Sequence, residues 1–444
     1  PSATRPEIEQ ALSVAELGVS AMAALPRVER ADVLRRAADA ISSRAEALTR
    51  TIALESGKTL REARGEVGRA AETFRVASEE ARRFAGEIVP FDGAPTGTDR
   101  FGFYLRVPLG IVVAITPFNF PLNLAAHKVA PALAAGNAVI LKPASATPLT
   151  GIALGGILYE SGLPPEALSV VTGPGASVGR HLAADPRPRM ITFTGSRDVG
   201  ADIARQAGLK KTAFELGSNA TVIVTEHCDV AAAAERCVRA ACAVAGQVCI
   251  SVQRVLVERR AMEQFLEVAG EVTRSLRVGD QLELDTDVGP MISEREAERA
   301  ESWVVEARAA GASVLCGGKR RGALFEPTLA TGVPDEARLW SDEAFAPVMA
   351  VRQCSGLDDA IRQVNASGYG LQAGVFTDRL EDALRSAHEI QCGGVMINDV
   401  PTFRVDLMPY GGQKGSGLGR EGPRYAMEEM SETRVVAFRR PSAR

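Results

Sequence analysis

A chain of 444 residues is too long for one compact core, so two or three domains are expected. Its 46% hydrophobic and 24% charged residues are ordinary for a soluble globular protein. Lys+Arg 51 against Asp+Glu 55 give a net charge of -4, which excludes a basic field for nucleic acid or an anionic membrane and leaves small molecules and copies of the chain as expected partners.

The amino terminus, PSATRPEIEQ, lacks the basic-then-apolar form of a secretory signal, and it lacks an initiator Met, as in a trimmed chain. Residues 6–85 are rich in Ala, Glu and Arg at helical spacing, as in Val33, Leu34, Ala37, Ala38, Ile41 and Leu48. Gly57 stops one helix and another starts near Leu60; these read as scaffold. From Phe101 the texture changes. Strand-like runs (110–116, 138–141, 168–172, 190–194, 220–224) alternate with helical ones (121–135, 148–161, 177–184, 198–207). Such alternation implies βαβ units and a parallel sheet. A second alternating set spans about 229–398, so an α/β architecture of two doubly wound lobes is the economical reading. The hairpin-like stretch 99–108 and the strand-like tail 433–440 fit neither lobe, and the tail is available to pair with a neighbouring subunit. Apolar runs such as 109–115 are far shorter than a membrane span.

The seven cysteines (Cys228, Cys237, Cys242, Cys249, Cys316, Cys354, Cys392) form no CxxC pair and mostly sit among Ala, Val and Ile. That fits reduced thiols in a cytoplasm rather than a disulfide framework. Cys249 stands apart because Gly246-Gln247 break the chain between helix and strand, where backbone amides can point inward; core filler is the alternative. None of His127, His181, His227 and His388 has a motif tying it to Cys249 as a protease base, and no His/Cys spacing matches a metal site. Glu215 ends a strand between Phe214 and Leu216, where partial desolvation makes a carboxylate a better base near neutral pH. Asn119 lies on a turn after a strand, and its amide can donate to a developing oxyanion. A salt bridge for Glu215 and a helix cap for Asn119 are the alternatives.

Taken together, TPFNFP (116–121), LKPAS (141–145), FTGS with Gly200 (193–200), FELG (214–217), GQVC (246–249), DEAFAPV (342–348) and PYGGQKGSGLGREG (409–422) resemble the aldehyde dehydrogenase superfamily from the first helices to the tail. The nucleophile follows the base by 34 residues, as that family leads one to expect. The resemblance implies that Cys249 adds to an aldehyde, that Asn119 and the Cys249 amide hold the oxyanion, and that hydride leaves for a nicotinamide to give a thioester. Glu215 then activates the hydrolytic water, with no metal. It also implies NAD or NADP as cofactor. Lys142 resembles the lysine on the adenine-side ribose, and Gly195, Ser196 and Gly200 the helix start facing the pyrophosphate. Glu343 resembles the glutamate on the nicotinamide ribose and Phe345 the aromatic beside that ring. Asn398 matches a supporting asparagine and Gly415 to Gly419 the glycine-rich loop after the substrate funnel. The cluster Gly173 to Gly179 misses the dinucleotide fingerprint by one residue and reads as a turn before a helix.

Departures from the family pattern shape further expectations. Ser218 and Asn219 stand where glycine and lysine are commoner, so Ser218 is expected to restrict the swing of Glu215. Ser145 stands where NAD-preferring members often carry Glu, so NADP is expected to be accepted beside NAD. Ala346 replaces a glycine, and the chain starts almost in the first helix, without the strand pair usual before it, as a truncated chain or one with an abbreviated cofactor domain would. The expected domains are 1–89 with 109–217 for the dinucleotide, 218–429 for catalysis, and 90–108 with 430–444 as a small β oligomerisation element, giving a homodimer or homotetramer.

The expected substrate is a short polar or hydroxylated aldehyde met at its far end by Arg404. The segment 401–406 resembles members acting on lactaldehyde or phosphonoacetaldehyde. Val248, where phosphorylated-aldehyde members often carry arginine, favours lactaldehyde or glycolaldehyde over a phosphonate. A loop salt bridge from Arg404 to Asp399 or Asp406 is the alternative. Rival functions are a CoA-acylating aldehyde dehydrogenase, which has no need of the base Glu215, and a non-catalytic protein retaining the fold.

Overall fold

The computed structural model describes residues 1–440. Four helices open the chain: α1 (Arg5–Ala24), α2 (Arg27–Ser43), α3 (Ala45–Ser56) and α4 (Leu60–Arg83). A capping box starts α4: Thr59 Oγ1 accepts from the Glu62 amide at 3.3 Å, and Glu62 returns a carboxylate oxygen to the Thr59 amide at 3.0 Å. Gly57 ends α3 at φ +78°, where a Cβ would lie 2.5 Å from Pro290 O.

After β1 (Ile88–Val89) and β2 (Arg100–Pro108) the first lobe follows as β3 (Ile111–Ile115), α5 (Asn123–Ala135), β4 (Ala138–Lys142), α6 (Pro148–Glu160), β5 (Leu168–Val170), α7 (Arg180–Ala184), β6 (Met190–Thr194), α8 (Arg197–Ala207) and β7 (Lys211–Glu215). Its parallel strands run in the order β7-β6-β3-β4-β5. Every residue of β3, β4 and β6 is buried because helices cover both faces. Period-two alternation sorts the core: Ile111, Val113 and Ile115 pack with residues of α1, α7 and α8, whereas Val112 and Ala114 join α2, α4 and α5. The Gly175–Gly179 segment is a single π-turn running into α7, as its glycine spacing suggested.

The second lobe comprises β8 (Thr221–Val224), α9 (Val230–Cys242), β9 (Arg254–Glu258), α10 (Met262–Ser275), α11 (Glu294–Ala309), β10 (Ser313–Cys316), the short hairpin β11 (Arg320–Arg321) and β12 (Leu324–Phe325), β13 (Thr328–Thr331), α12 (Arg338–Ser341), β14 (Val348–Cys354), α13 (Leu357–Asn365), β15 (Gln372–Phe376), α14 (Leu380–Glu389) and β16 (Gly394–Ile397). Its sheet runs β10-β13-β14-β9-β8-β15-β16, parallel except for β10 at one edge. The α/β layout of two doubly wound lobes is therefore as expected.

Two expectations are corrected. The chain returns to the first lobe before residue 429: β17 (Gly417–Leu418) pairs antiparallel with β7, and α15 (Pro423–Glu429) packs on α4 and α5. The outer edge of β7 is thereby paired, and a catalytic segment running unbroken to 429 does not describe the molecule. The stretch 99–108 is not a hairpin either. β18 (Ser431–Arg439) pairs with β2 of the same chain, from Ser431 opposite Pro108 to Arg439 opposite Arg100, and β1 takes the other edge of β2. Strand alternation in a tail says nothing of which strand it meets, and the nearer one is intramolecular.

Candidate active site

Where the carboxyl ends of the first sheet face the loops before the second, Glu215 closes β7, Asn119 follows β3, and Cys249 precedes β9. The chain leaves α9 through Val244, Ala245 and Gly246 at φ 54, 52 and 70°. For the two residues with side chains this conformation costs about 1–2 kcal/mol each. Neighbours hold it: Glu62 Oε1 accepts the Val244 amide at 2.6 Å, Gln247 Nε2 donates to Val244 O at 3.1 Å, and Gln247 Oε1 accepts the Ile292 amide at 2.9 Å. A Cβ on Gly246 would lie 2.0 Å from Ala346 O, so the Gly-Gln pair before the cysteine has a steric and a hydrogen-bonding reason. Strain maintained in this way is a mark of functional loops.

Asn119 is buried and its Nδ2 donates to Gln247 O at 2.8 Å, which ties Asn119 to the loop before Cys249. It does not cap α5; that helix start is served by Glu66, whose Oε1 accepts the Leu122 and Asn123 amides at 2.8 and 3.1 Å. The far oxygen of Glu66 pairs with Lys58 Nζ at 2.6 Å, both side chains fully buried, and that ammonium lies 3.4 Å over the Phe120 ring.

Glu215 makes no salt bridge among the described residues, and its Oε2 is buried without a hydrogen-bond partner. Burial, reinforced by the Glu421 carboxylate, raises its carboxyl well above the usual range. Burial also pushes the Cys249 thiol up to about 12; against this, Tyr410 Oη lies 3.2 Å from Sγ. Behind them Glu421 bridges Lys128 at 2.8 Å and Arg404 at 3.0 Å. Burial alone would raise Glu421, but those two cations hold it well below the carboxylate range.

The residues expected at a dinucleotide gather at the same edge. Burial lowers Lys142 to about 8, and its only hydrogen bond among the described residues goes to Pro143 O at 3.0 Å. Gly195 and Ser196 lead into the start of α8, and Gly200 lets α8 approach the strand end: a Cβ there would lie 2.5 Å from the Leu216 side chain. Ser145 Oγ donates to Gly173 O at 2.9 Å. Glu343 Oε1 accepts the Ser218 amide at 2.8 Å, and burial raises that carboxyl to about 7. Phe345 meets Phe118 edge-on at 6.0 Å on the wall of a 340 Å³ cavity. Thr116 and Thr194, beside these groups, have buried hydroxyls without partners. An unpaired buried cation, a helix start and unspent donors are a set that fits a dinucleotide.

The aldehyde dehydrogenase family model matches residues 1–436. The chain belongs to that family. It is similar to the 3-sulfolactaldehyde dehydrogenase of Priestia aryabhattai, 47% identical over 410 residues covering 92% of this chain and 86% of that one. It is similar to the lactaldehyde dehydrogenase of Methanococcus aeolicus, 38% identical over 440 residues covering 98% and 93%. A solved glyceraldehyde-3-phosphate dehydrogenase of Methanocaldococcus jannaschii, complexed with NADP, superposes with a TM-score of 0.95 at 39% identity, covering 99% and 95%. This is an NAD(P)-dependent aldehyde dehydrogenase.

The loop salt bridge considered for Arg404 is corrected. Asp406 is taken by Arg69 at 2.9 Å and His127 at 2.8 Å, and Asp399 by Arg236 at 2.5 Å, so neither is its partner. Arg404 turns inward to Glu421, its guanidinium 3.7 Å from the Tyr410 ring centroid, and its Nε is buried without a partner. Arg69, with its own unpartnered Nε, lines a 350 Å³ pocket together with Arg404, Glu72, Val405, Asp406 and Leu407. Asn398 lies apart, past the carboxyl end of β16, at φ 54° with Oδ1 accepting the Thr377 amide.

Sequence reasoning missed Arg69, Lys128, Tyr410 and Glu421. Tyr410 and Glu421 sat inside the quoted block 409–422 without a role. His127 and Lys128 carried a usable signal: they interrupt a helix whose other residues are almost all apolar, and all thirteen of its residues are buried. Ionisable groups in such a place need partners.

Proposed function

We propose that this aldehyde dehydrogenase oxidises a short aldehyde whose far end carries a hydroxyl or an anionic group, through a Cys249 thioester that Glu215 helps hydrolyse. The observation that carries the substrate class is that Arg69 and Arg404 line one 350 Å³ pocket, beside Glu72 and Asp406. Two guanidinium groups on one pocket suit a hydroxyl, sulfonate, carboxylate or phosphonate, which charge-assisted hydrogen bonds hold firmly. The names of the similar enzymes support the reading: 3-sulfolactaldehyde, lactaldehyde and glyceraldehyde-3-phosphate are short aldehydes differing at the remote end. With Val248 before the nucleophile the arginine set is modest, so bulkier phosphorylated ends are expected to be poorer.

The Cys249 thiolate attacks the carbonyl carbon, and the Asn119 amide, already oriented by Gln247 O, donates to the oxyanion. NAD(P), when bound, would supply the hydride acceptor for that carbon. Lys142, Glu343 and the α8 start would hold its ribose and phosphate groups, and Phe345 would flank its ring. Glu215 then takes a proton from the water that cleaves the C–S bond; burial raises its carboxyl, which makes its ionised form a stronger base than an exposed carboxylate. Exposed Phe101, Leu105, Val435 and Phe438 on the small sheet and the open edge of β18 support a homodimer or homotetramer. The seven free thiols support a cytoplasmic setting.

A rate comparison tests the substrate class. kcat/KM is measured for propanal, lactaldehyde, 3-sulfolactaldehyde and phosphonoacetaldehyde with wild type, Arg404→Ala and Arg69→Ala. Loss of one charge-assisted anchor is expected to cost the anionic aldehydes about tenfold or more over propanal. Equal losses on all four substrates would remove both arginines from recognition.

A further inference from the structure

The hydroxyl of Tyr410 has no role in the mechanism above, yet it is the side-chain group hydrogen-bonded to the nucleophile. Its backbone forms a two-bond antiparallel bridge with Glu421, the Tyr410 amide to Glu421 O at 3.1 Å and the Glu421 amide to Tyr410 O at 2.7 Å. The residue is 2% exposed. Arg404 covers the ring, its guanidinium 3.7 Å from the centroid, and Glu421 fixes Arg404 while Lys128 fixes Glu421. The ring is thus clamped with Oη 3.2 Å from Cys249 Sγ. Its backbone bridge, the cation on its face and the bond at its tip all set one orientation.

We propose that Tyr410 is a further catalytic residue: its hydroxyl donates a hydrogen bond to the Cys249 thiolate that attacks the aldehyde, and the stacked Arg404 polarises that hydroxyl. The phenol keeps its proton throughout, so no bond forms or breaks in this role. Protonation states agree with it. Burial raises the phenol well above its ordinary range, so at neutral pH it is a donor. Burial likewise raises the thiol, and the Tyr410 bond is the strongest influence lowering it. A thiolate in a desolvated pocket gains more from one charge-assisted donor than it would in water. A phenylalanine would fill the same space and stack on the same arginine, which makes the hydroxyl separable from the packing.

The proposal rests on Cys249 as nucleophile, and the experiment separates the two. Tyr410→Phe and wild type are alkylated with iodoacetamide between pH 7 and 9, with Cys249→Ala subtracted for the other thiols. Tyr410→Phe is expected to react about tenfold more slowly at each pH, equivalent to a thiol raised by about one unit. Aldehyde kcat/KM falls by a similar factor, while the thermal midpoint and cofactor affinity stay as in wild type. Superimposable alkylation rates would overturn the role of Tyr410 and leave the nucleophile assignment standing. Aldehyde turnover by Cys249→Ala would overturn the nucleophile assignment and this proposal with it.

Discussion

At the first sheet the functional side chains leave from the carboxyl ends of strands: Asn119 after β3, Lys142 closing β4, Ser196 after β6 and Glu215 closing β7. At the second they arrive before the strands begin: Cys249 five residues ahead of β9, Glu343 and Phe345 ahead of β14. The first arrangement is the general one for doubly wound sheets, whose ligands bind outside the carboxyl ends. There, helix starts and strand ends position groups at little conformational cost. The amino edge offers no such ready-made site, so its nucleophile loop is held by left-handed backbone at Val244 and Ala245 and by reinforcement from Glu62 and Gln247. In the proposed mechanism the first edge thus supplies its groups from regular structure, while the nucleophile comes from a strained loop.

The sharpest way to separate the two edges is to remove the reacting group of each. Cys249→Ala is expected to abolish aldehyde oxidation while binding cofactor normally by fluorescence titration; retained turnover would end the division of labour. Glu215→Gln is expected to reduce one equivalent of cofactor per site in a burst and then stall, since hydride transfer precedes its step. In wild type, steady-state turnover rises with pH as the raised carboxyl ionises, and the variant loses that limb. Stability carries the opposite sign. A carboxyl raised in the folded state favours the fold below the ordinary carboxylate range, and that contribution is lost as pH rises through the folded value. Glu215→Gln should therefore melt above wild type at pH 8, with the gap closing toward pH 5; an equal gap at both would contradict the buried, unpaired carboxylate.

A second variant probes the link between the edges. Glu66 caps the helix behind Asn119 while Glu62, one turn earlier on α4, holds Val244, so one scaffold helix serves both loops. Glu66→Ala leaves the fully buried Lys58 without its partner, which costs about 3–5 kcal/mol. A large drop in thermal midpoint is expected, partly recovered in the double variant Lys58→Met/Glu66→Leu. If the single and double variants melt alike, the ion pair does not govern this part of the scaffold.

Why some of this was legible and some was not follows from sequence distance. Local chemistry could be read: Gly57 as a helix stop, the strand-like apolar runs of β3 and β4, and the Gly-Gln break before Cys249. Partnerships across the chain could not. Lys128 and Glu421 are 293 residues apart, and Cys249 and Tyr410 161 apart. No periodicity links such positions. The same blindness hid the return of residues 417–429 to the first sheet and the choice of β2 as partner for the tail. For Arg404 both candidate partners were near in sequence, and packing chose a distant one.

The smallest expected effect lies wholly on the cofactor edge. Ser145 is exposed just beyond β4, its hydroxyl spent on Gly173 O, so it presents no charge to a ribose 2′ substituent. Lys142, the nearby cation without a carboxylate partner, retains capacity for a phosphate. Wild type should accordingly use NAD and NADP with comparable kcat/KM. A carboxylate introduced by Ser145→Glu, roughly 8 Å from a 2′-phosphate, would repel it by on the order of 2 kcal/mol at an effective dielectric near 20. Salt screening trims this at an exposed position to about tenfold on NADP alone. The NAD reaction, the burst and the Cys249 alkylation rate should stay unchanged, because none of them involves that corner of the first sheet. A matching loss on NAD would mean that the substitution disturbs the strand end rather than the charge balance. NADP efficiency too low to measure in wild type would show that a neutral Ser145 is not enough to admit the phosphate.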